Sequence, residues 1–213
     1  MRILLLLSFM LFYMPSHGAA SHPDTVDVYI VPMDDFPEDK AAEIANLMAE
    51  DMRLWVKSSV RLGNLYANKL PGTNQLMAED IIEKSQPVIK KLGNITEKTY
   101  FLILTTRDIN LGAGNLRFVF ASHNKAYNTS VISLQRMVNY VNGVPVFDEI
   151  SQSRLYKMMK RSIGEMQFGW QRTTDINDIM YAPIMSLDDL DKMGLQHREE
   201  KAEEPATDTK LPI

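Results

Sequence analysis

Residues 100 to 105 read YFLILT, an unbroken apolar run that is typical of a strand buried on both faces. Such a strand lies in the middle of a sheet that helices cover on both sides. Further out, VDVYIV at residues 26–31 is rich in β-branched residues and is closed by Pro32, which predicts another strand. Shorter strands are predicted at 59–62, 118–121 and 130–134, the last two around the polar stretch SHNKAYNT. The sequence therefore predicts an α/β fold with helices packed on a mixed twisted sheet.

Helical periodicity supports this fold class. Pro37 opens one pattern with acidic residues in its first turn, and Asn74 is the expected cap of a second helix. A third helix is expected over residues 152–169, with a buried stripe formed by Leu155, Met158, Met159, Ile163 and Met166. Ser186, followed by Asp189 three residues later, is a variant of the capping box and predicts a short last helix that ends at Gly194.

Composition excludes several classes of protein. The 213 residues are 45% hydrophobic and 23% charged, which suits one folded domain. The net charge of −4 and the absence of a long basic run argue against nucleic acid as a partner. The sequence contains no cysteine, which excludes disulfides, thiolate-bound zinc, iron–sulfur clusters and thiol nucleophiles.

The first 20 residues have the organisation of a secretory signal peptide. Arg2 precedes an apolar run from Ile3 to Met14, and Gly18 and Ala20 provide the small residues of a cleavage site. The run is too short to serve as a membrane anchor, which needs about 20 apolar residues. We therefore expect cleavage after Ala20, export to the periplasm or the medium, and no stable anchor afterwards. The folded domain is expected over 21–195, followed by a disordered polar tail over 196–213.

Several segments together resemble the archaemetzincin family of zinc-dependent peptidases. They occur in the family's order from about Val26 to Gly194: VDVYIVPM, LPGTNQLMAEDIIE, LTTRDINLGAGNLRFVFA, SVISLQRM and DIMYAPIMSLDDLDKMG. The resemblance implies a metzincin-like fold, with an active-site-equivalent helix followed by a Met-turn and a short C-terminal helix.

The family's chemistry lies in H-E-x-G-H-x-x-G-x-x-H-C-x4-C-V-M, in which three histidines bind zinc and a glutamate acts as the general base. Gly169 and Met180 match the glycine and the Met-turn methionine of this motif in one gapless register. In that register the zinc-ligand positions hold Ser162, Met166 and Arg172, and the base position holds Ile163. The family's second, cysteine-based zinc site falls on Thr173 and Asp178.

None of these residues suits its inherited role, because a hydroxyl and a thioether bind zinc poorly, a guanidinium repels it and isoleucine carries no proton to exchange. The resemblance thus implies a divergent, exported member that lacks H-E-x-x-H, with no catalytic residue and no zinc or other cofactor. We expect an inactive metallopeptidase homologue that keeps a peptide-binding groove, flanked by strands at 117–121 and 131–134. Its expected partner is an extended peptide or an envelope protein.

A competing interpretation is an active hydrolase with a rearranged site. Glu165, Asp175, Asp178 and His123 supply three carboxylates and an imidazole that could bind a metal or transfer protons. Two side chains are left open. Arg172 is either an ordinary surface arginine or a partner of one of these carboxylates. Trp170 either fills the space of the missing imidazoles or lies exposed on the floor of a groove.

Overall fold

The structure is a computed structural model, and it describes residues 24–33, 36–63, 65, 67–113, 116–142 and 144–198. The predicted signal peptide and residues 199–213 of the predicted tail lie outside these ranges. The strands are β1 (Val28–Pro32), β2 (Val56–Ser58), β3 (Leu76–Met77), β4 (Tyr100–Thr105), β5 (Ile109–Asn110), β6 (Ala121–Asn124), β7 (Thr129–Ser133), β8 (Asn139–Val141) and β9 (Val144–Val146). The α-helices are α1 (Glu38–Met52), α2 (Ala78–Ile89), α3 (Glu149–Ile163) and α4 (Leu187–Lys192).

Five strands form the main sheet in the order β2-β1-β4-β7-β6. The first four run parallel, and β6 pairs antiparallel with β7 at one edge. The predicted α/β class is confirmed. Two small two-stranded sheets, β3-β5 and β8-β9, lie outside the main one.

The apolar run at residues 100–105 is the central strand that the sequence predicts. Leu102 and Leu104 pack with α1 and α3 on one face, whereas Phe101 and Ile103 pack with α2 on the other. All six residues of β4 are buried, so the sheet carries a core on each side. Within the described ranges, no helix has the length and apolarity that crossing a bilayer requires.

Several predicted boundaries are wrong. The second strand is β2 rather than 59–62, and of that segment Leu62 makes only an isolated bridge to Met33. Asn74 does not cap α2, because the short strand β3 intervenes and the helix follows Met77. The strand predicted at 118–121 is instead β6, at Ala121–Asn124. Its four residues are polar or small and only half-buried. An edge strand needs no apolar run, so its residues read as a loop.

The ends of the third helix also differ from the prediction. The α-helix begins at Glu149 after Asp148, whose carboxylate accepts a hydrogen bond from the Ser151 N–H at 2.8 Å. It changes at its end into one π-helical segment, Gly164–Phe168. The capping box of the last helix forms as predicted, with Ser186 and Asp189 bonded in both directions, although α4 ends at Lys192.

Candidate functional site

The end of α3 and the turn around Met180 form one unit. Gly169 follows the π-helical segment with φ at +69°, a left-handed conformation that glycine adopts without strain. The chain then returns beneath the helix. The Thr173 N–H donates to the Met180 carbonyl at 3.1 Å, and the Ala182 N–H donates to the Thr173 carbonyl at 2.8 Å. Met180 is fully buried in the core.

Ser162 and Ile163 both point into the protein. The Ser162 hydroxyl is fully buried and donates to the Met158 carbonyl, one helical turn earlier, at 2.7 Å. Ile163 is fully buried in the core between α3 and the sheet. At the position equivalent to the first zinc ligand, the Ser162 hydroxyl is therefore already bonded to its own helix. The position equivalent to the general base holds a core residue, Ile163.

Met166 and Arg172 occupy the other two positions. Met166 is half-buried and packs against the same core. The side chain of Arg172 is 56% exposed, and its guanidinium lies 3.2 Å from the Glu165 carboxylate. Of the alternatives left open by the sequence, Arg172 thus meets both descriptions, being a surface side chain that pairs with Glu165. The hydrogen-bonded hydroxyl of Ser162, the thioether of Met166 and the paired guanidinium of Arg172 are not suited to bind zinc.

The four residues of the competing interpretation are each bound elsewhere. The Nδ1 atom of His123 lies 2.7 Å from Ser130 Oγ, and Glu165 pairs with Arg172. Asp175 accepts a hydrogen bond from the Asn177 N–H, and Asp178 receives bonds from the C-terminal segment. In the part of the chain that the structure describes, no three His, Asp or Glu side chains come together as a metal site. Of the four, His123 and Glu165 lie close enough to interact electrostatically.

A buried polar cluster that sequence reasoning missed surrounds His123. Burial lowers the pKa of His123 to about 4; the Glu165 charge opposes this shift, and Arg172, Arg161 and Lys125 reinforce it. The Tyr100 hydroxyl belongs to the same cluster and interacts with the hydroxyls of Ser130 and Ser162. Burial raises the pKa of Tyr100, and these two hydroxyls oppose the rise. The Tyr100 hydroxyl makes no well-aligned hydrogen bond among the described residues.

This cluster does not resemble a nucleophilic site. Ser130 is fully buried in β7, so a substrate does not reach this hydroxyl, which His123 contacts among the described residues. A serine nucleophile needs both a base and an accessible carbonyl carbon. The contact between His123 and Ser130 is therefore a cross-strand hydrogen bond that satisfies a buried hydroxyl and a half-buried imidazole.

Trp170 fills space at the end of α3. It packs directly on Gly164, where an added Cβ would lie 2.0 Å from the indole ring. The indole also stacks on Phe168 and on His197, with ring centroids 5.5 and 4.7 Å away. Trp170 is half-buried, so part of the indole packs against the end of α3 and part remains accessible to solvent.

Residues 196–198 are held at Asp178, a position that corresponds to the second zinc site of the archaemetzincins. Asp178 is buried, and its carboxylate accepts a hydrogen bond from the Arg198 N–H at 2.7 Å and lies 3.2 Å from His197 Nδ1. The Ile179 N–H donates to the Gln196 carbonyl at 3.0 Å. The predicted boundary of a disordered tail at 196 is therefore wrong for residues 196–198, because these backbone groups find partners in the Met-turn.

Arg161 is a further residue that sequence reasoning missed. Its side chain is buried and donates to the carbonyls of Tyr181 at 2.6 Å and Ile179 at 3.3 Å. Burial lowers its pKa to about 10, which keeps the guanidinium charged at neutral pH. A charged residue in a helix is ordinarily exposed, and its sequence neighbours give no sign of these carbonyl partners.

The strand β6 lies at one edge of the main sheet, with β2 at the other. The Ser133 N–H donates to the Phe120 carbonyl at 2.9 Å, so by antiparallel alternation Ser122 is also a hydrogen-bonded residue of the ladder. Ala121 and His123 consequently direct their backbone groups away from β7. The predicted groove borders need correction, because residues 131–134 are buried and the edge runs along 121–124 rather than 117–121.

The fold of this chain is similar to that of solved archaemetzincin structures. The sequence matches no family model and gives no significant match among curated proteins. Among solved structures, archaemetzincin from Methanopyrus kandleri aligns at 18% identity and a TM-score of 0.62, over 85% of this chain and 93% of that one.

Two further structures give the same result. Archaemetzincin from Archaeoglobus fulgidus, in complex with malonate, aligns at 18% identity and a TM-score of 0.61, over 81% of this chain and 95% of that one. A zinc-dependent peptidase from Methanocorpusculum labreanum aligns at 17% identity and a TM-score of 0.66, covering 81% and 96%. The chain therefore has the archaemetzincin fold.

Proposed function

We propose that this protein is a divergent archaemetzincin-like protein that lacks H-E-x-x-H, is catalytically inactive, and binds extended peptide segments. One observation carries the proposal. At the positions equivalent to the zinc ligands, Ser162 is bonded to its own helix, Met166 packs into the core, and Arg172 pairs with Glu165. These groups neither attract a dication nor activate water, since each already has another partner.

The binding role rests on β6. An extended peptide can add to an exposed sheet edge through main-chain hydrogen bonds, which require no metal. Within the described residues, β6 pairs with β7 alone and leaves the backbone groups of Ala121 and His123 for such a partner. The proposed occupant is an extended peptide or a segment of an envelope protein.

Export belongs to the same proposal. It rests on the sequence of residues 1–20, from which we expect a protein that begins at Ser21 and acts in the periplasm or outside the cell. N-terminal sequencing of the protein recovered from the envelope and the medium tests this directly.

Metal content and turnover test inactivity. We expect the purified protein to contain no stoichiometric zinc and to hydrolyse neither casein nor peptides, with or without added zinc. Stoichiometric zinc together with cleavage that a chelator abolishes would overturn the proposal in favour of an active hydrolase.

The alignment that places residues 166 and 172 at zinc-ligand positions can be tested separately. A variant with Met166→His and Arg172→His should bind zinc at least about tenfold more tightly than the matched variant with Met166→His and Gln171→His. Gln171 is exposed and adjacent to Arg172 but is not a predicted ligand position. Equal zinc affinities would show that residues 166 and 172 do not face a common point.

A further inference from the structure

A cavity of about 600 Å³ lies at the opposite end of the sheet from the site described above. It is bordered by the segments that follow three parallel strands: Phe36 after β1, Thr106 and Arg107 after β4, and Leu134 after β7. In open sheets of parallel strands, ligands bind outside the carboxyl ends of the strands. The volume is within the range of small-molecule sites.

The cavity and the end of α3 are separate places. Phe147 borders the cavity and precedes α3, whereas the Met-turn region packs near the last residues of that helix. The helix has 15 residues and is therefore about 22 Å long. A ligand in the cavity would not contact Ser162 or Arg172.

The walls of the cavity are mostly apolar, and its polar groups come from two neighbouring loops, from the start of α1 and from Tyr140. Phe36, Leu134, Val138 and Phe147 provide the apolar surface. Thr106 and Arg107 follow β4, and Gln135 follows β7. The side chains of these three residues make no hydrogen bond or ion pair among the described residues.

The arrangement of charge favours an anion. On the opposite wall, Lys40 is already paired with Glu43 at 2.6 Å. Asp39, at the start of α1, and Arg107 are both exposed to solvent. Arg107 also lines the cavity, and among the described residues its guanidinium has no ion-pair partner. Its backbone carbonyl accepts a hydrogen bond from the Ser133 hydroxyl at 2.6 Å, which fixes the position of the residue. A guanidinium binds a carboxylate through two parallel hydrogen bonds.

We propose that this cavity binds a small molecule with an apolar body and a single carboxylate. The body lies against Phe36, Val138 and Phe147, and the carboxylate is bound by Arg107 with Thr106 and Gln135. The proposal does not depend on the state of the zinc-equivalent positions.

Three probes with the same apolar chain test the charge: octanoate, octanol and octylamine, titrated by calorimetry. We expect octanoate to bind at least about tenfold more tightly than the other two. Arg107→Gln should weaken octanoate about tenfold and leave octanol unchanged. Arg117→Gln, at an exposed arginine away from the cavity, should change neither.

A second variant locates the site. Gln135→Trp should weaken octanoate and octanol together by filling the cavity, with folding checked from its unfolding transition. The proposal is overturned if octylamine binds as tightly as octanoate, if Arg107→Gln has no effect on octanoate, or if no probe binds. It is also overturned if the folded Gln135→Trp protein binds the probes as the parent does.

Discussion

His123 is the residue whose surroundings most restrict its chemistry. It lies on the edge strand, bonded to Ser130 and facing Glu165, while Arg161, Arg172 and Lys125 add positive charge. Burial lowers its pKa to about 4, so the imidazole is neutral in the folded protein at pH 7. Because this pKa lies far below physiological pH, the imidazole is difficult to protonate. His123 is therefore a weak general base at pH 7.

This shift makes stability depend on pH. Because the folded pKa is below the ordinary value of 6.5, the unfolded chain binds the proton first as the pH falls. The stability that neutral His123 contributes is therefore complete above pH 6.5 and is lost as the pH falls towards 4. The loss is on the order of 3 kcal/mol between pH 7 and pH 4.

His123→Gln should remove most of that loss. Glutamine keeps a group able to bond Ser130 but does not titrate, so the free energy of unfolding should fall less steeply between pH 6.5 and pH 4 than in the parent. Urea unfolding at several pH values measures both slopes. His197→Gln is the matched control, since His197 is a described histidine outside the His123 cluster. Parallel curves for the parent and His123→Gln would contradict the assignment.

Among the structural elements, β4 and β6 mark the limits of prediction from sequence. The run at 100–105 identifies β4, because a continuous apolar run is typical of a strand covered on both faces. No such requirement acts on β6, whose half-buried residues include Ser122 and Asn124. The predicted groove borders differ from the observed edge for this reason, since pairing with β7 rather than composition makes residues 121–124 a strand.

The helix α3 illustrates a second limit. Its apolar stripe was predictable from periodicity, and Leu155, Met159 and Ile163 are fully buried. Four basic residues on the same helix are buried as well: Arg154, Lys157, Lys160 and Arg161. Their partners are carboxylates and carbonyls far away in the sequence, so periodicity alone places these cations in solvent.

The edge of β6 gives a prediction for peptide binding. Ala121→Pro removes an N–H that faces away from β7, so it should weaken binding of extended peptides at least about fivefold while the ladder to β7 stays intact. Ser122→Ala, which changes a side chain and no backbone donor, should bind as the parent does. Fluorescence anisotropy with labelled peptides of varied sequence measures both. Unchanged binding by Ala121→Pro would place the peptide site elsewhere.

At the scale of the whole molecule, buried cations on α3 hold the Met-turn and α4 against this helix. Arg154 forms two hydrogen bonds with Asp191, at 2.6 and 2.7 Å, and Lys157 donates to the carbonyls of Leu190 and Asp191. Lys160 lies 2.7 Å from Asp51, which ties α3 to α1. The Met-turn and α4 are thus attached by side chains of the helix itself.

Arg161 is the cation that holds the Met-turn, so replacing it tests this account. Arg161→Met keeps much of the apolar stem but leaves the carbonyls of Ile179 and Tyr181 without their donor, which should cost about 2–4 kcal/mol in the free energy of unfolding. Arg172→Met is the matched control, because the Arg172 side chain is 56% exposed, and its ion pair with the largely buried Glu165 should contribute about 1 kcal/mol, less than the Arg161 contacts.

Denaturant unfolding of both variants, each with and without a chelator, separates side-chain attachment from metal attachment. If side chains hold the Met-turn, Arg161→Met lowers the midpoint far more than Arg172→Met, and the chelator shifts no midpoint, since a ligand that binds only the folded state would add stability that chelation removes. Equal losses in the two variants would mean that the buried guanidinium is not what fixes the turn. A large shift of the parent's midpoint on chelation would mean that a bound metal contributes to the attachment, and the inactive assignment would fail with it.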